Sequence, residues 1–374
     1  MESLTGYSNY NILYMDYIFD NIDNNIINNI KEQIDNKNVL VVGMGGGNDV
    51  LMAYMIANYL GNTENIMYAN CSTIREGNKY ISKNEVMDNT ITEINNILYK
   101  FKDFDNLSFK ASNIMIKEED KTYKTLLTEQ LVYEITGVNP YIIMLNNIPY
   151  NKFEDIDQSD IYNYTYSTLK IITTVLNYLK IDIVIGIDTG GDSISGGTDF
   201  IHDVISSRDQ QVLNAFRICY SKNIINKFYH IVLAPCCDGE TSSEDMINAI
   251  LNKNTEWPTI YHSIPVNNKN FIGAFSLNDL INNPYILHII DTYTGESRTP
   301  SYINYALQYQ KNNNYVKEIN NENIIQDNKI LIKRHGNIQL IFYEWFTIGI
   351  LFDYNKEYKS NDNENQIIEE ILNK

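Results

Sequence analysis

The stretch VLVVGMGGGNDVLMAYMIANYL, Val39–Leu60, constrains the fold of this chain more than any other. Val39–Gly43 is a short continuous apolar run, the pattern of a strand covered on both faces. Gly45, Gly46 and Gly47 then open a corner, and Val50–Leu60 reads as a helix. The question posed by the corner is whether it cradles a ligand or only turns the chain.

The same alternation continues downstream. Apolar residues at helical spacing between Tyr10 and Ile34 predict one or two amphipathic helices. Strands are expected at Asn65–Cys71, Leu107–Ile116, Tyr141–Asn146, Ile181–Asp188 and Tyr229–Pro235. Between them, Thr90–Phe101, Tyr123–Thr136, Asp160–Leu179, Arg208–Tyr220 and Ser243–Leu251 read as helices. Such alternation implies a mostly parallel sheet between helical layers, a Rossmann-like three-layer α/β sandwich. Toward the C-terminus a strand is expected at Tyr285–Thr294 and a helix at Ser301–Gln310. A hairpin around Gly336 would add antiparallel strands. The chain therefore reads as one α/β domain over residues 1–374: a helical segment 1–36, a core 37–255, C-terminal strands and helices 256–354, and a polar tail 355–374.

Two further corners repeat the first. IDIVIGIDTGGDSISGG spans Ile181–Gly197, and YHIVLAPCCDGE spans Tyr229–Glu240. Each is a β-branched run ending in small residues and carboxylates. In parallel α/β sheets ligands bind beyond the carboxyl ends of the strands, and glycine lets the backbone approach them closely. The candidate ligand-binding residues are Gly45, Gly46, Gly47, Asn48, Asp49, Gly190, Gly191, Ser193, Gly239 and Glu240, with Arg75 and Glu76 after the second strand. The glycine amides of Gly45–Gly47 and Gly190–Gly191 are expected to receive phosphates. Asp188, Asp192 and Asp238 are the candidate catalytic carboxylates. Several carboxylates in one anion site need a divalent cation, a ribose hydroxyl or a role as general base, and the sequence leaves these three open. Asp188 and Asp192 are the candidate ligands of a Mg²⁺ ion.

Other signals are weaker. GMGGGND puts Asp49 where a dinucleotide fingerprint has its third glycine, and no Gly-Lys-Ser/Thr follows as in a phosphate-binding Walker loop. Cys236 or Cys237 with His202 as base would make a nucleophile, against the plainer reading of buried small side chains. His202–Asp203 suggests a metal pair without recognisable companions, and His230 and His288 sit in apolar strands that suggest core packing. Arg75–Glu76 and Arg298 fit phosphate or ribose contacts and surface ion pairs equally. The formal net charge of -18 disfavours nucleic acid as a partner. No apolar stretch is long enough for a membrane span, no leader pattern opens the chain, and no CxxC spacing suggests zinc. A soluble, cytoplasmic protein is expected. Many tyrosines in predicted helices suit a homo-oligomer interface and core packing equally.

Together the three corners resemble the DUF1152 family of archaeal and bacterial proteins. The resemblance is carried by Gly43–Val50, Ile187–Asp192 and Asp238–Glu240, in that order, and by the segment Gly196–Phe216 that follows the central block. It covers about Val39–Ile250. Asn48 stands where the family has a glycine, and TIREG where it has a Trp-Glu-Arg triplet. The resemblance implies an α/β fold with its site at these loops and names no reaction. Two readings follow: an enzyme hydrolysing or transferring a group of a nucleoside, nucleotide or phosphorylated sugar, or a non-catalytic nucleotide-binding or sequestering protein. A dinucleotide-dependent oxidoreductase fits less well, for want of a clear catalytic Tyr-Lys or His pair.

Overall fold

Val39–Val42 are wholly buried because they form the central strand of the sheet, with helices on both sides. The computed structural model describes residues 15, 18–45, 48–61, 64–72, 75–76, 79–80, 98–100, 132–133, 135–145, 158–195, 208–251, 270–281, 299–311, 325–326, 328–334, 337–358 and 362–372. Along the chain run α1 (Asn25–Gln33), β1 (Val39–Gly43), α2 (Asp49–Leu60), β2 (Ile66–Ser72) and the two-residue strands β3 (Arg75–Glu76) and β4 (Lys79–Tyr80). Then follow β5 (Leu98–Lys100), β6 (Tyr141–Met144), α3 (Gln158–Leu179), β7 (Ile183–Thr189), the one-turn α4 (Asp192–Ser195), α5 (Arg208–Ser221), β8 (Lys227–Leu233) and α6 (Ser243–Leu251). The remainder is β9 (Phe271–Ser276), α7 (Asn278–Ile281), α8 (Thr299–Lys311), β10 (Ile325–Gln326), β11 (Lys329–Arg334), β12 (Asn337–Phe342), a 3-10 helix at Tyr343–Thr347, β13 (Ile348–Asp353) and α9 (Asp362–Leu372).

The main sheet has eight strands in the order β5-β6-β2-β1-β7-β8-β13-β9. Its five central strands, β6 to β8, are parallel. On one edge β5 pairs antiparallel with β6. On the other, β13 pairs antiparallel with both β8 and β9. Helix α2 packs on β1, β2 and β7, while α5 packs on β7, β8 and α3. From β1 the chain moves to β2 on one side; from β7 it moves to β8 on the other. The strand order therefore reverses between β1 and β7, the place where an open α/β sheet leaves a crevice. Gly43 lies level with Ile187, and β7 runs on to Thr189, so the corners after both strands meet at one rim.

Burial explains why these segments hold their form. Val50–Ala57 of α2 are buried almost all round, the composition of a helix enclosed between sheet and neighbouring helices. Each fully buried aliphatic side chain contributes about 1.5–3 kcal/mol relative to exposure. Among the described residues no helix is long and apolar enough to cross a membrane.

The structure departs from the sequence reading at several elements. Leu98–Lys100, expected at the end of a helix, forms β5, because pairing with Tyr141–Ile143 at the sheet edge overrides local spacing. The two strands expected on either side of a hairpin pair as β11 and β12 but join β10 in a separate three-stranded sheet. The antiparallel strands of the main sheet near the C-terminus are β9 and β13, neither of which the sequence reading anticipated. The strands expected at Leu107–Ile116 and Tyr285–Thr294 lie outside the described residues.

Candidate functional site at the switch point

The first corner folds around a carboxylate. Asp49, in the first turn of α2, accepts the Gly45 N–H on Oδ2 at 2.7 Å and the Thr189 N–H on Oδ1 at 3.0 Å. One side chain thus ties the loop after β1 to the end of β7. The glycines make room for Asp49 and Asp209. A Cβ on residue 43 would lie 2.7 Å from Asp49 Cβ, and one on residue 45 would lie 2.1 Å from Asp209 Oδ2.

The second corner does the same with Asp188, the penultimate residue of β7. Its Oδ1 accepts the Gly191 N–H at 3.3 Å, and its Oδ2 accepts the Ser193 N–H at 3.1 Å. The Ser193 hydroxyl donates a further, short bond to the same Oδ2. Gly190 and Gly191 take φ of +115° and +104°, a conformation other residues rarely adopt. The third corner is stitched to the second: Cys236 N–H donates to Gly190 O at 2.6 Å, and Gly190 N–H to Leu233 O at 3.1 Å. Within it Asp238 Oδ1 accepts the Glu240 N–H at 2.9 Å.

These three corners and the first turn of α5 bring six carboxylates to one rim. Asp49, Asp188 and Asp209 each place an oxygen within 4.8 Å of the others, and so do Asp192, Asp238 and Glu240. Asp188 feels both groups, since Asp209 and Asp238 both raise it. Burial, then the charge of Asp209, lifts the Asp188 carboxyl to about 7 against the pull of the Ser193 hydrogen bond. Burial lifts Asp49 well above the ordinary carboxylate range, followed by the charges of Asp209 and Asp188. Asp192 is raised likewise by burial, then by Asp209 and Glu240. A rim of this kind favours protons or cations and disfavours a bare anion.

Of the residues expected from sequence, Gly45, Asn48, Asp49, Asp188, Gly190, Gly191, Asp192, Ser193, Asp238, Gly239 and Glu240 lie on these three corners. Gly46 and Gly47 lie outside the described residues, as do His202 and Asp203. Arg75 and Glu76 form β3 against β4, and their side chains lie outside the described part. The proposed metal pair is divided, with Asp188 in one carboxylate group and Asp192 in the other. The amides of Gly45, Gly190 and Gly191, expected to face phosphates, donate instead to Asp49, Leu233 and Asp188. The Gly45 and Gly191 amides brace carboxylates, and the Gly190 amide ties the second corner to the end of β8.

Cys236 and Cys237 are fully buried, and burial pushes both thiols well up, so neither has the thiolate character of a nucleophile. The sequence reading did not single out Asp209, the second residue of α5; its signal was an acidic residue in the first turn of a helix that follows a glycine corner. His230 is buried in β8 as expected, yet its Nε2 lies 3.1 Å from Ser193 Oγ, which connects it to the site.

The donors suit a hard divalent cation. All are carboxylate oxygens, the chemistry preferred by Mg²⁺ and Ca²⁺. The buried Thr189 hydroxyl lies beside Asp49, a further oxygen at the same place. No protein-family model matches the chain, and comparisons with curated proteins and with solved structures return no match.

Proposed function

We propose that the crevice between β1 and β7 binds a nucleoside, nucleotide or phosphorylated sugar together with Mg²⁺, and hydrolyses it or transfers a group from it. The observation that carries this reading is the gathering of six carboxylates at the switch point, with the described glycine amides already engaged. An anionic ligand entering such a rim needs a cation between itself and the protein. Asp49, Asp188 and Asp209 would hold the ion. When bound, Mg²⁺ neutralises phosphate charge and polarises the bond to be broken. Asp192, held proton-rich by burial and then by its acidic neighbours, is suited to exchange a proton with the reacting hydroxyl or water, and Asp238 stands beside it.

One observation favours the second reading, a protein that binds without turnover. Both oxygens of Asp49 already accept backbone N–H groups, so this carboxylate also serves to join two loops. Thermal-shift measurements on nucleotides, nucleosides and sugar phosphates, with and without Mg²⁺, separate the readings. The enzyme reading expects stabilisation by ligand with Mg²⁺ beyond either alone, and turnover that Asp192→Asn abolishes while the fold remains. Stabilisation with no product on prolonged incubation selects the binder. Unchanged affinity and turnover in both Asp188→Asn and Asp192→Asn would remove the site from this rim.

A further inference from the structure

Behind Asp188 a column of polar side chains runs into the core. Ser193 Oγ bonds Asp188 Oδ2 and lies 3.1 Å from His230 Nε2. His230 Nδ1 in turn lies 3.3 Å from the Tyr354 hydroxyl. Ser193, His230 and Tyr354 are 2%, 0% and 1% exposed. The imidazole is flanked by the rings of Phe352, at 5.6 Å, and Tyr354, at 6.2 Å, and the Arg217 guanidinium covers the Tyr354 ring at 4.6 Å. Burying such groups is costly unless each is satisfied, and an apolar trio would fill the same space without that cost.

We propose that His230, acting through Ser193, is a positioning residue for this site: it directs the Ser193 hydroxyl onto Asp188 Oδ2 and leaves Oδ1 as the oxygen that Asp188 offers a divalent cation. The proposal rests on the reading of the crevice as a cation site.

The direction of the column follows from counting protons. Asp188 Oδ2 already accepts the Ser193 N–H, so it carries no proton of its own and the Ser193 O–H points to it. The Ser193 oxygen is then free to accept, and the group facing it is His230 Nε2, which must carry the hydrogen. A neutral imidazole has one N–H, so Nδ1 is bare and accepts from the Tyr354 hydroxyl. Burial, with Arg217 nearby, holds His230 down to about 3, which keeps the ring neutral. Oδ2 now accepts two donors from Ser193, whereas among the described residues Oδ1 has only the 3.3 Å bond from Gly191. The arrangement is not a nucleophilic triad. The second nitrogen of His230 meets a phenol, and the serine proton is already committed to Asp188.

Two measurements on the full chain test this. In ¹⁵N-histidine-labelled wild-type protein near pH 7.5, His230, identified by the resonance lost in His230→Gln, is expected as the neutral tautomer with its proton on Nε2. A proton on Nδ1, or on both nitrogens, overturns the proposal, and this result needs no variant to bind anything. In calorimetric titration with Mg²⁺ alone, Ser193→Ala and His230→Phe are expected to weaken binding about 10–100-fold. His230→Gln, whose amide still donates to Ser193, is expected to stay within a few-fold of wild type. His230→Phe with unchanged affinity, or His230→Gln as weak as His230→Phe, overturns the positioning role. Should His230→Phe fail to fold, Ser193→Ala and the wild-type tautomer decide. A wild type that binds no Mg²⁺ defeats the cation reading and the claim on Oδ1, while the tautomer still reports whether the column points at Asp188.

Discussion

The rim between β1 and β7 and the antiparallel flank of β13 and β9 are both withdrawn from water, but they bury opposite chemistry. In the flank, Phe275, Phe346, Phe352 and Trp345 are fully enclosed, and Gly349 leaves the space that the Phe275 ring fills. At the rim, Asp49, Asp188, Asp192 and Asp209 are each less than a tenth exposed. Burying a large apolar side chain is favourable by about 1.5–3 kcal/mol; burying a carboxylate among other carboxylates is unfavourable unless it is protonated or meets a cation. The flank also adds two strands beside β8, so the parallel strands that carry the rim do not end the sheet there. The contrast separates stability from function: one side of the sheet offsets what the other costs.

The largest expected effect lies in the flank. Phe352 is fully buried and touches the rings of His230, Phe271 and Tyr354. Truncation in Phe352→Ala should lower stability by about 3–5 kcal/mol, as cavity formation in a tight core does, with urea unfolding as the measurement. A loss below about 1 kcal/mol would mean that the site collapses to fill the space, and the flank would no longer be the stabilising half of the comparison.

Next in size is the backbone of the rim. Gly190 combines φ of +115° with a direction in which a Cβ would stand 2.1 Å from Asp238 Oδ2. Gly61, at the end of α2, has φ of +130° with nothing within 4 Å of its would-be Cβ. Gly61→Ala therefore isolates conformational strain, at about 1–2 kcal/mol. Gly190→Ala should cost about 1–2 kcal/mol more, because either Asp238 or the loop must move. Equal costs in denaturant unfolding would mean that Asp238 swings aside freely and that the rim is not a fixed constellation.

The two halves also differ in how far the sequence reveals them. The parallel centre was legible, because apolar runs without polar alternation, such as Val39–Val42 and Ile183–Ile187, suit a short strand covered on both faces, and each is followed by a glycine corner. From those corners the meeting of Asp49, Asp188, Asp192, Asp238 and Glu240 could be anticipated. The flank was not legible: β13 enters the sheet far from its neighbours in sequence, between β8 and β9, and its pairing is set by long-range contacts rather than local pattern. Asp209 was hidden for the same reason, since its part in the rim depends on where α5 begins in space. The Gly45 and Gly191 amides, expected to face phosphates, are engaged within the protein for a reason that no spacing encodes. The carboxylates sit close enough to take those N–H groups themselves.

The smallest expected effect has the opposite sign, which makes it the sharpest test of the contrast. The folded state holds a proton on Asp192 that the unfolded chain has released above its ordinary pKa of 3.8. Folding is therefore penalised progressively as pH rises from about 4 toward the raised value, and fully so above it. Asp188 acts in the same direction over the window from 3.8 to about 7. Asp192→Asn removes one member of this set while keeping its shape. In chelator at pH 8 the variant should be more stable than wild type by about 1–2 kcal/mol, and the gain should vanish only well below pH 3.8, where the wild-type residue is protonated in both states. Mg²⁺ should narrow the difference by stabilising the wild type more, because the ion compensates charges that the variant has partly removed. A variant less stable than wild type at pH 8 would show that Asp192 contributes through its contacts, and the rim would then belong with the flank as a stabilising region.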